Sequence, residues 1–144
     1  QRQMCIRDRL DEMQAAFLAA KLPHLDKMNT ERRKIAEKYL KGIKNVEVIL
    51  PYVPDYASPV WHIFGIRCER RDELEKWLNN AGIGTNKHYP IPMHLQDCYK
   101  NLGFHEGDYS IAEEICRTEL SLPMYYGMTE EEIQYVIDKI NEFK

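Results

Sequence analysis

The chain has 144 residues, 44% of them apolar and 30% charged, with a net charge of −3 from 20 basic and 23 acidic side chains. That is the balance of an ordinary globular protein large enough for one core, and it gives no electrostatic case for binding nucleic acid or an anionic membrane. No apolar run reaches the roughly 20 residues that span a bilayer.

The elements follow from periodicity and capping residues. The first nine residues, QRQMCIRDR, run into a helical pattern without a cap or turn signal. They resemble the translation of a sequencing adapter, so residues 1–8 are read as foreign and the chain as a C-terminal fragment. Leu10, Met13, Phe17 and Ala20 then mark one helical face, which Pro23 is expected to kink or end. A second helix opens at TERRK with Asn29 or Thr30 as N-cap, buries Ile35, Tyr39 and Ile43, and ends near Gly42. Its ERRKIAEKYLK run interleaves bases and acids at helical spacing, the pattern of a solvated face. VEVIL (46–50) and VWHIFGIRC (60–68) read as strands on either side of a loop containing Pro51, Pro54 and Pro59. In the second, Val60, His62, Phe64, Ile66 and Cys68 alternate against Trp61, Ile63, Gly65 and Arg67. RRDELEKWLNNAGI is an amphipathic helix with Leu74, Trp77 and Leu78 inward, closed by Gly82. YSIAEEICRTEL is a further helix, and LSLPMY is a short extended segment. MTEEEIQYVIDKINEF is the last helix, with Thr129 as N-cap and Ile133, Val136, Ile137 and Ile140 inward. This order predicts an α+β fold, a small sheet with helices on one side, preceded by a long helical arm.

The four cysteines, Cys5, Cys68, Cys98 and Cys116, form no C-x-x-C pair and read as free thiols of a reducing cytosol. The segment richest in chemistry is GIGTNKHYPIPMHLQDCYKNLGF, residues 82–104. His88 and His94 lie six apart with two prolines between them, which matches no common metal-ligand spacing. His94, Asp97 and Cys98 would share a helical face but supply no closed set of ligands, so a metal at His88, His94 and Asp97 is the weaker reading. There is no G-x-S-x-G elbow, no reactive-cysteine signature and no phosphate-binding glycine loop. What remains is Thr85, Asn86, Lys87, His88 and Tyr89, on a loop stiffened by Pro90 and Pro92. Such a loop either hydrogen-bonds the hydroxyls or phosphates of a polar ligand or simply connects two elements; composition leaves both open.

In order, RLDEMQAAFLAAKLPHLD, VWHIFGIRC, RDELEKWLNNAGIGTNKHYPIPMHLQDCY and GDYSIAEEICRTELSLPMYYGMTEEEIQYVIDKI resemble the C-terminal part of the DegT/DnrJ/EryC1/StrS aminotransferases. The likeness runs from about Arg9 to the end, and HYPIPMHLQ is most similar to members acting on dTDP-3-keto-6-deoxyhexoses. The resemblance implies an aspartate-aminotransferase fold and pyridoxal phosphate as cofactor. It implies transfer of an amino group from glutamate to a nucleotide-linked keto-sugar by a cytoplasmic homodimer. It divides the chain into a helical connector arm (9–44) and a C-terminal small domain (45–144). The Schiff-base lysine and most cofactor ligands then belong to an N-terminal domain outside this chain, so the fragment alone is expected to be inactive. Lys87 does not match the family's lysine motif, and no catalytic residue, cofactor ligand or metal ligand is assigned. His88 and Tyr89 match the HYP loop that faces the sugar, which implies substrate binding. His62 of the WH pair is placed near the site, or else serves as a histidine of the sheet core. Arg9, Leu10 and Asp11 match the family's N-x-R-L-D-E run, with Arg7 where that run has the Asn that reaches the cofactor phosphate of the neighbouring subunit. A stand-alone, non-catalytic α+β ligand-binding module is the alternative.

Overall fold

The side chain of Asp11 accepts the N–H groups of Met13 and Gln14 (3.0 and 3.3 Å) and so starts helix α1, Glu12–Lys21. The computed structural model describes residues 11–144, and the readings at residues 1–10, including Cys5, Arg7, Arg9 and Leu10, lie outside them. After α1 come a 3₁₀ turn (Leu22–His24), α2 (Leu25–Gly42), β1 (Val48–Ile49), β2 (Phe64–Cys68) and α3 (Arg71–Asn80). Two further 3₁₀ turns (Met93–Leu95 and Asp97–Leu102), α4 (Ser110–Thr118), β3 (Glu119–Leu122) and α5 (Glu130–Glu142) complete the order. The three strands form one antiparallel sheet in the order β1-β2-β3. Val48 pairs with Cys68 and Phe64 with Leu122. This is the expected α+β architecture. Among the described residues, no helix is long and apolar enough to cross a membrane.

The core explains which elements hold. Ile35, Ala36 and Tyr39 of α2, Phe64 and Ile66 of β2, Leu74 and Leu78 of α3, and Leu120 of β3 are buried together. Ile133, Val136, Ile137 and Ile140 of α5 join them, as their spacing predicts. Thr129 and Glu132 form a reciprocal capping box at the start of α5. Gly82, at φ +78, closes α3, and the Ile83 N–H reaches back to the Leu78 carbonyl (2.9 Å).

Pro23 ends the first helix as expected: α1 stops at Lys21, Pro23 sits in the Leu22–His24 3₁₀ turn, where a missing N–H costs nothing, and α2 starts at Leu25. Four expectations need correction. Neither Asn29 nor Thr30 is an N-cap; both lie inside α2, and the Thr30 hydroxyl bonds the Asp26 carbonyl (2.7 Å). The strand expected over 60–68 begins only at Phe64, because Trp61 takes a left-handed backbone (φ 54) that breaks the alternation. The helix expected to run to Leu120 stops at Thr118, where pairing of Leu120 with Ile66 claims the chain for the sheet. Trp77, expected inside, is 40% exposed and anchored by its indole N–H to the Lys139 carbonyl (2.8 Å).

The α2–α5 contact is close enough to test. A Cβ on Gly42 would lie 2.7 Å from Ile137 Cδ1 and 3.0 Å from its Cγ2. Overpacking a core costs about 1–3 kcal/mol, more than the terminal helix position gains from Ala over Gly, at most about 1 kcal/mol. Gly42→Ala is therefore expected to lower stability by about 1 kcal/mol in a urea melt. A stabilised variant would show that the two helices separate freely.

Candidate functional site

β3 builds one wall of the site by simple alternation. Leu120 and Leu122 point into the core, so Glu119 and Ser121 point to the opposite face of the sheet. The 83–92 loop runs beside β3 on the side away from β2: Asn86 makes an antiparallel bridge to Ser121, with N···O distances of 3.2 and 2.7 Å. The bridge delivers His88 against β3. Its backbone N–H donates to Glu119 Oε2 (2.7 Å), its Nδ1 lies 2.8 Å from Ser121 Oγ, and its Nε2 lies 3.2 Å from Asn86 Nδ2. The Ser121 hydroxyl donates in turn to Glu119 Oε1.

Two hollows flank the His88–Tyr89 segment, whose peptide bond is cis. The first, of about 390 Å³, is polar and is lined by His62, Thr85, Asn86, His88, Tyr89 and Ser121, with Pro123 and Met124 at its edge. The second, of about 480 Å³, is apolar, with Ile91, Met93, Tyr109, Ile115 and Cys116 in its wall. Tyr89 borders both and is 70% exposed, edge-on to the His88 ring at 5.6 Å. The three residues singled out from sequence, His62, His88 and Tyr89, thus meet at one polar hollow. His62 is exposed there and is not part of the sheet core.

Arg32 was read as part of a solvated helix face, and that reading is corrected. Its Nη1 donates to the carbonyls of Trp61 and His62 (3.3 Å each) and of Met124 (3.0 Å). One guanidinium on α2 therefore ties the His62 segment to the chain leaving β3, two rims of the polar hollow. The sequence carries no signal for this, since the partners lie 29, 30 and 92 residues away.

His94 does not share a helical face with Asp97 and Cys98. Its Nε2 meets Glu113 Oε1 on α4 (2.8 Å), and its ring packs on Tyr109 at 4.8 Å between centroids. Glu113 also accepts the N–H groups of Gly107 (3.0 Å) and Tyr109 (3.3 Å). Burial opposes its ionisation, but the Gly107 N–H, His94 and the Tyr109 N–H outweigh it and hold its carboxyl below the usual range. This cluster shapes the far wall of the apolar hollow. Burial pushes the Cys116 thiol up, away from the thiolate a nucleophile needs. Cys68 is buried and shifted the same way by burial.

The residues present do not fit a covalent anchor for pyridoxal phosphate. No lysine lines either hollow. The Lys87 ammonium is engaged by Glu75 (2.7 Å) and Asp72 (3.0 Å). Hydrogen bonds to Glu75 and Asp72 raise its pKa, whereas an imine-forming lysine must give up its proton. The site offers hydrogen-bonding groups and shape, and no nucleophile.

Fold and site together define an α+β domain with a polar hollow lined by hydrogen-bonding side chains and no lysine. The chain belongs to the DegT/DnrJ/EryC1/StrS aminotransferase family, which it matches over residues 2–141. It is 44% identical over 138 residues to a "Pleiotropic regulatory protein" of Geobacillus stearothermophilus, covering 94% of this chain and 37% of that one. It is 43% identical over 136 residues to the dTDP-3-amino-3,4,6-trideoxy-alpha-D-glucose transaminase of Streptomyces venezuelae, covering 94% and 36%. The crystal structure of S. venezuelae DesV in complex with a ketimine intermediate superposes with a TM-score of 0.90 at 42% identity, over 93% of this chain and 36% of that one. The chain thus spans little more than a third of the length of these relatives.

Proposed function

We propose that this chain is the C-terminal small domain and connector arm of a pyridoxal-phosphate-dependent aminotransferase. The whole enzyme passes an amino group from glutamate to a nucleotide-linked keto-deoxysugar, in the subgroup acting on dTDP-3-keto-6-deoxyhexoses. Residues 9–44 are the arm and 45–144 the small domain, and the working form is a cytoplasmic homodimer. The observation that carries the reading is the convergence of His62, His88 and Tyr89 on one polar hollow in a chain of this family. The family's cofactor supplies the electron sink for moving the amino group. This chain's part is to hold the sugar: His88 and Tyr89 hydrogen-bond its hydroxyls, His62 closes the opposite rim, and Arg32 keeps that rim in register.

The test uses the full-length protein recovered with its upstream reading frame. His88→Ala and Tyr89→Ala are each expected to raise KM for the keto-sugar about 10- to 100-fold, the equivalent of about 1.4–2.8 kcal/mol of lost binding. The half-reaction with glutamate should change by less than about threefold. Equal damage to both half-reactions would overturn the sugar-facing role. A full-length product that binds a small ligand but shows no amino transfer would favour the non-catalytic binding module instead.

A further inference from the structure

We propose that Glu119, acting through Ser121, is a positioning residue that fixes the tautomer of His88 and keeps its Nε2 an acceptor at the polar hollow, one that the Asn86 amide holds and a ligand hydroxyl takes by displacing it.

The direction of every bond in the cluster follows from one anchored amide. Asn86 Oδ1 accepts the Lys87 N–H (2.9 Å), so its Nδ2 is the atom facing His88 Nε2 at 3.2 Å. An amide nitrogen only donates, which makes Nε2 the acceptor and leaves the ring proton on Nδ1. Nδ1–H then donates to Ser121 Oγ (2.8 Å), and the Ser121 hydroxyl turns its own proton to Glu119 Oε1. The second carboxylate oxygen takes the His88 backbone N–H (2.7 Å). Glu119 therefore grips His88 twice, at the backbone directly and at the ring through one hydroxyl.

The surroundings keep this arrangement in place. Glu119 and Ser121 are 8% and 5% exposed, so water competes poorly for either. Across the sheet, position 65 is a glycine, and a Cβ there would lie 3.0 Å from Glu119 Oε1. The missing side chain makes the space in which the carboxylate sits. The paired backbone bonds between Asn86 and Ser121 prevent the loop from sliding relative to β3.

The consequence is chemical selectivity. Asn86 Nδ2 and His88 Nε2 are a donor and an acceptor paired with each other at the hollow. Nε2 has a single lone pair, so a ligand hydroxyl donates to the imidazole only by displacing the Asn86 amide, whose N–H it can accept in exchange. A keto oxygen only accepts, so it would leave Nε2 unpaired. In the opposite tautomer both groups would donate, and the preference would reverse. The ligand's identity as a sugar rests on the function proposed above; the tautomer does not.

Nitrogen-15 labelling of the histidine rings tests this directly, on the 144-residue chain at about pH 8, above the usual histidine range. His88, identified by loss of its signals in His88→Gln, is expected to show a protonated Nδ1 and an unprotonated Nε2. In Ser121→Ala the two nitrogens should move toward averaged shifts. Ser121→Thr and Ser121→Val, which differ only in the hydroxyl, should respectively keep and lose the fixed tautomer, so a fold defect in one variant cannot mimic the result. A protonated Nε2 in the wild type, or an unaltered Nδ1–H in both Ser121→Ala and Ser121→Val, overturns the proposal. In the full-length enzyme, Ser121→Val is expected to raise KM for the keto-sugar about tenfold with kcat within about twofold, and Ser121→Thr to restore it. A flat KM with a shifted tautomer would uphold the control through the Ser121 hydroxyl and overturn both the acceptor role of His88 and its assignment to the sugar.

Discussion

Phe64→Ala is expected to remove about 3–5 kcal/mol of folding stability, the range for truncating a buried aromatic. Domains of this size have only about 5–15 kcal/mol in all. Phe64 is fully buried at the start of β2, with the rings of Tyr39 and Trp61 each 5.1 Å away between centroids. Neither neighbour can collapse into the gap cheaply. Tyr39 is held by its hydroxyl to the Pro123 carbonyl (2.9 Å), and Trp61 is fixed by its left-handed backbone and by Arg32 on its carbonyl. The loss should appear in a urea melt as a lower midpoint at unchanged slope. It should also loosen the His62 segment, because Trp61 packs on Phe64 immediately before His62. Phe64→Leu fills most of the volume and should cost much less. A loss below about 1 kcal/mol for Phe64→Ala would mean that the Trp61 stack does not hold this end of the sheet.

What could be read from the sequence was what local chemistry decides. Thr129 followed by Glu132 and the Ile133, Val136, Ile137, Ile140 spacing specify α5 without reference to anything distant, and the structure agrees. Leu74 and Leu78 of α3 are equally local, and Gly82 ends that helix by its own backbone preference. The misreadings share the opposite character. Val60 to Ile63 continue the alternation of a strand, yet no neighbouring strand pairs with them and Trp61 turns left-handed. Glu119 and Leu120 extend a helical pattern, yet β2 takes them as a strand. At the site, resemblance singled out His88, Tyr89 and His62, but not the groups that hold them. Arg32, Glu119, Ser121 and Asn86 act through contacts that only the pairing of the loop with β3 creates.

Glu119→Ala should have the largest effect on the site itself, with a stability loss of about 3 kcal/mol. Removing the carboxylate leaves the His88 N–H and the Ser121 hydroxyl without their acceptor in a place water scarcely reaches. Hydrogen bonds to a charged group contribute about 1.5–3 kcal/mol each, and a buried donor left unpaired costs about 1–3 kcal/mol. With its backbone bond gone, His88 should shift within the hollow. In the aminotransferase proposed above, misplacement by about 1 Å is enough to lower kcat/KM for its keto-sugar about 100-fold. Glu119→Gln keeps one accepting oxygen and should lose less on both counts. Gly65 gives this prediction an internal check. On its own, Gly65→Ala should destabilise, because its Cβ would press on Glu119 Oε1 at 3.0 Å. In the Glu119→Ala background the obstruction is absent and alanine suits a strand better than glycine, so the same change should be neutral or stabilising. The two substitutions should therefore couple by about 1 kcal/mol or more in a double-mutant cycle. Simple additivity would show that the glycine is not there to seat the carboxylate, and that His88 is held in place by the loop alone.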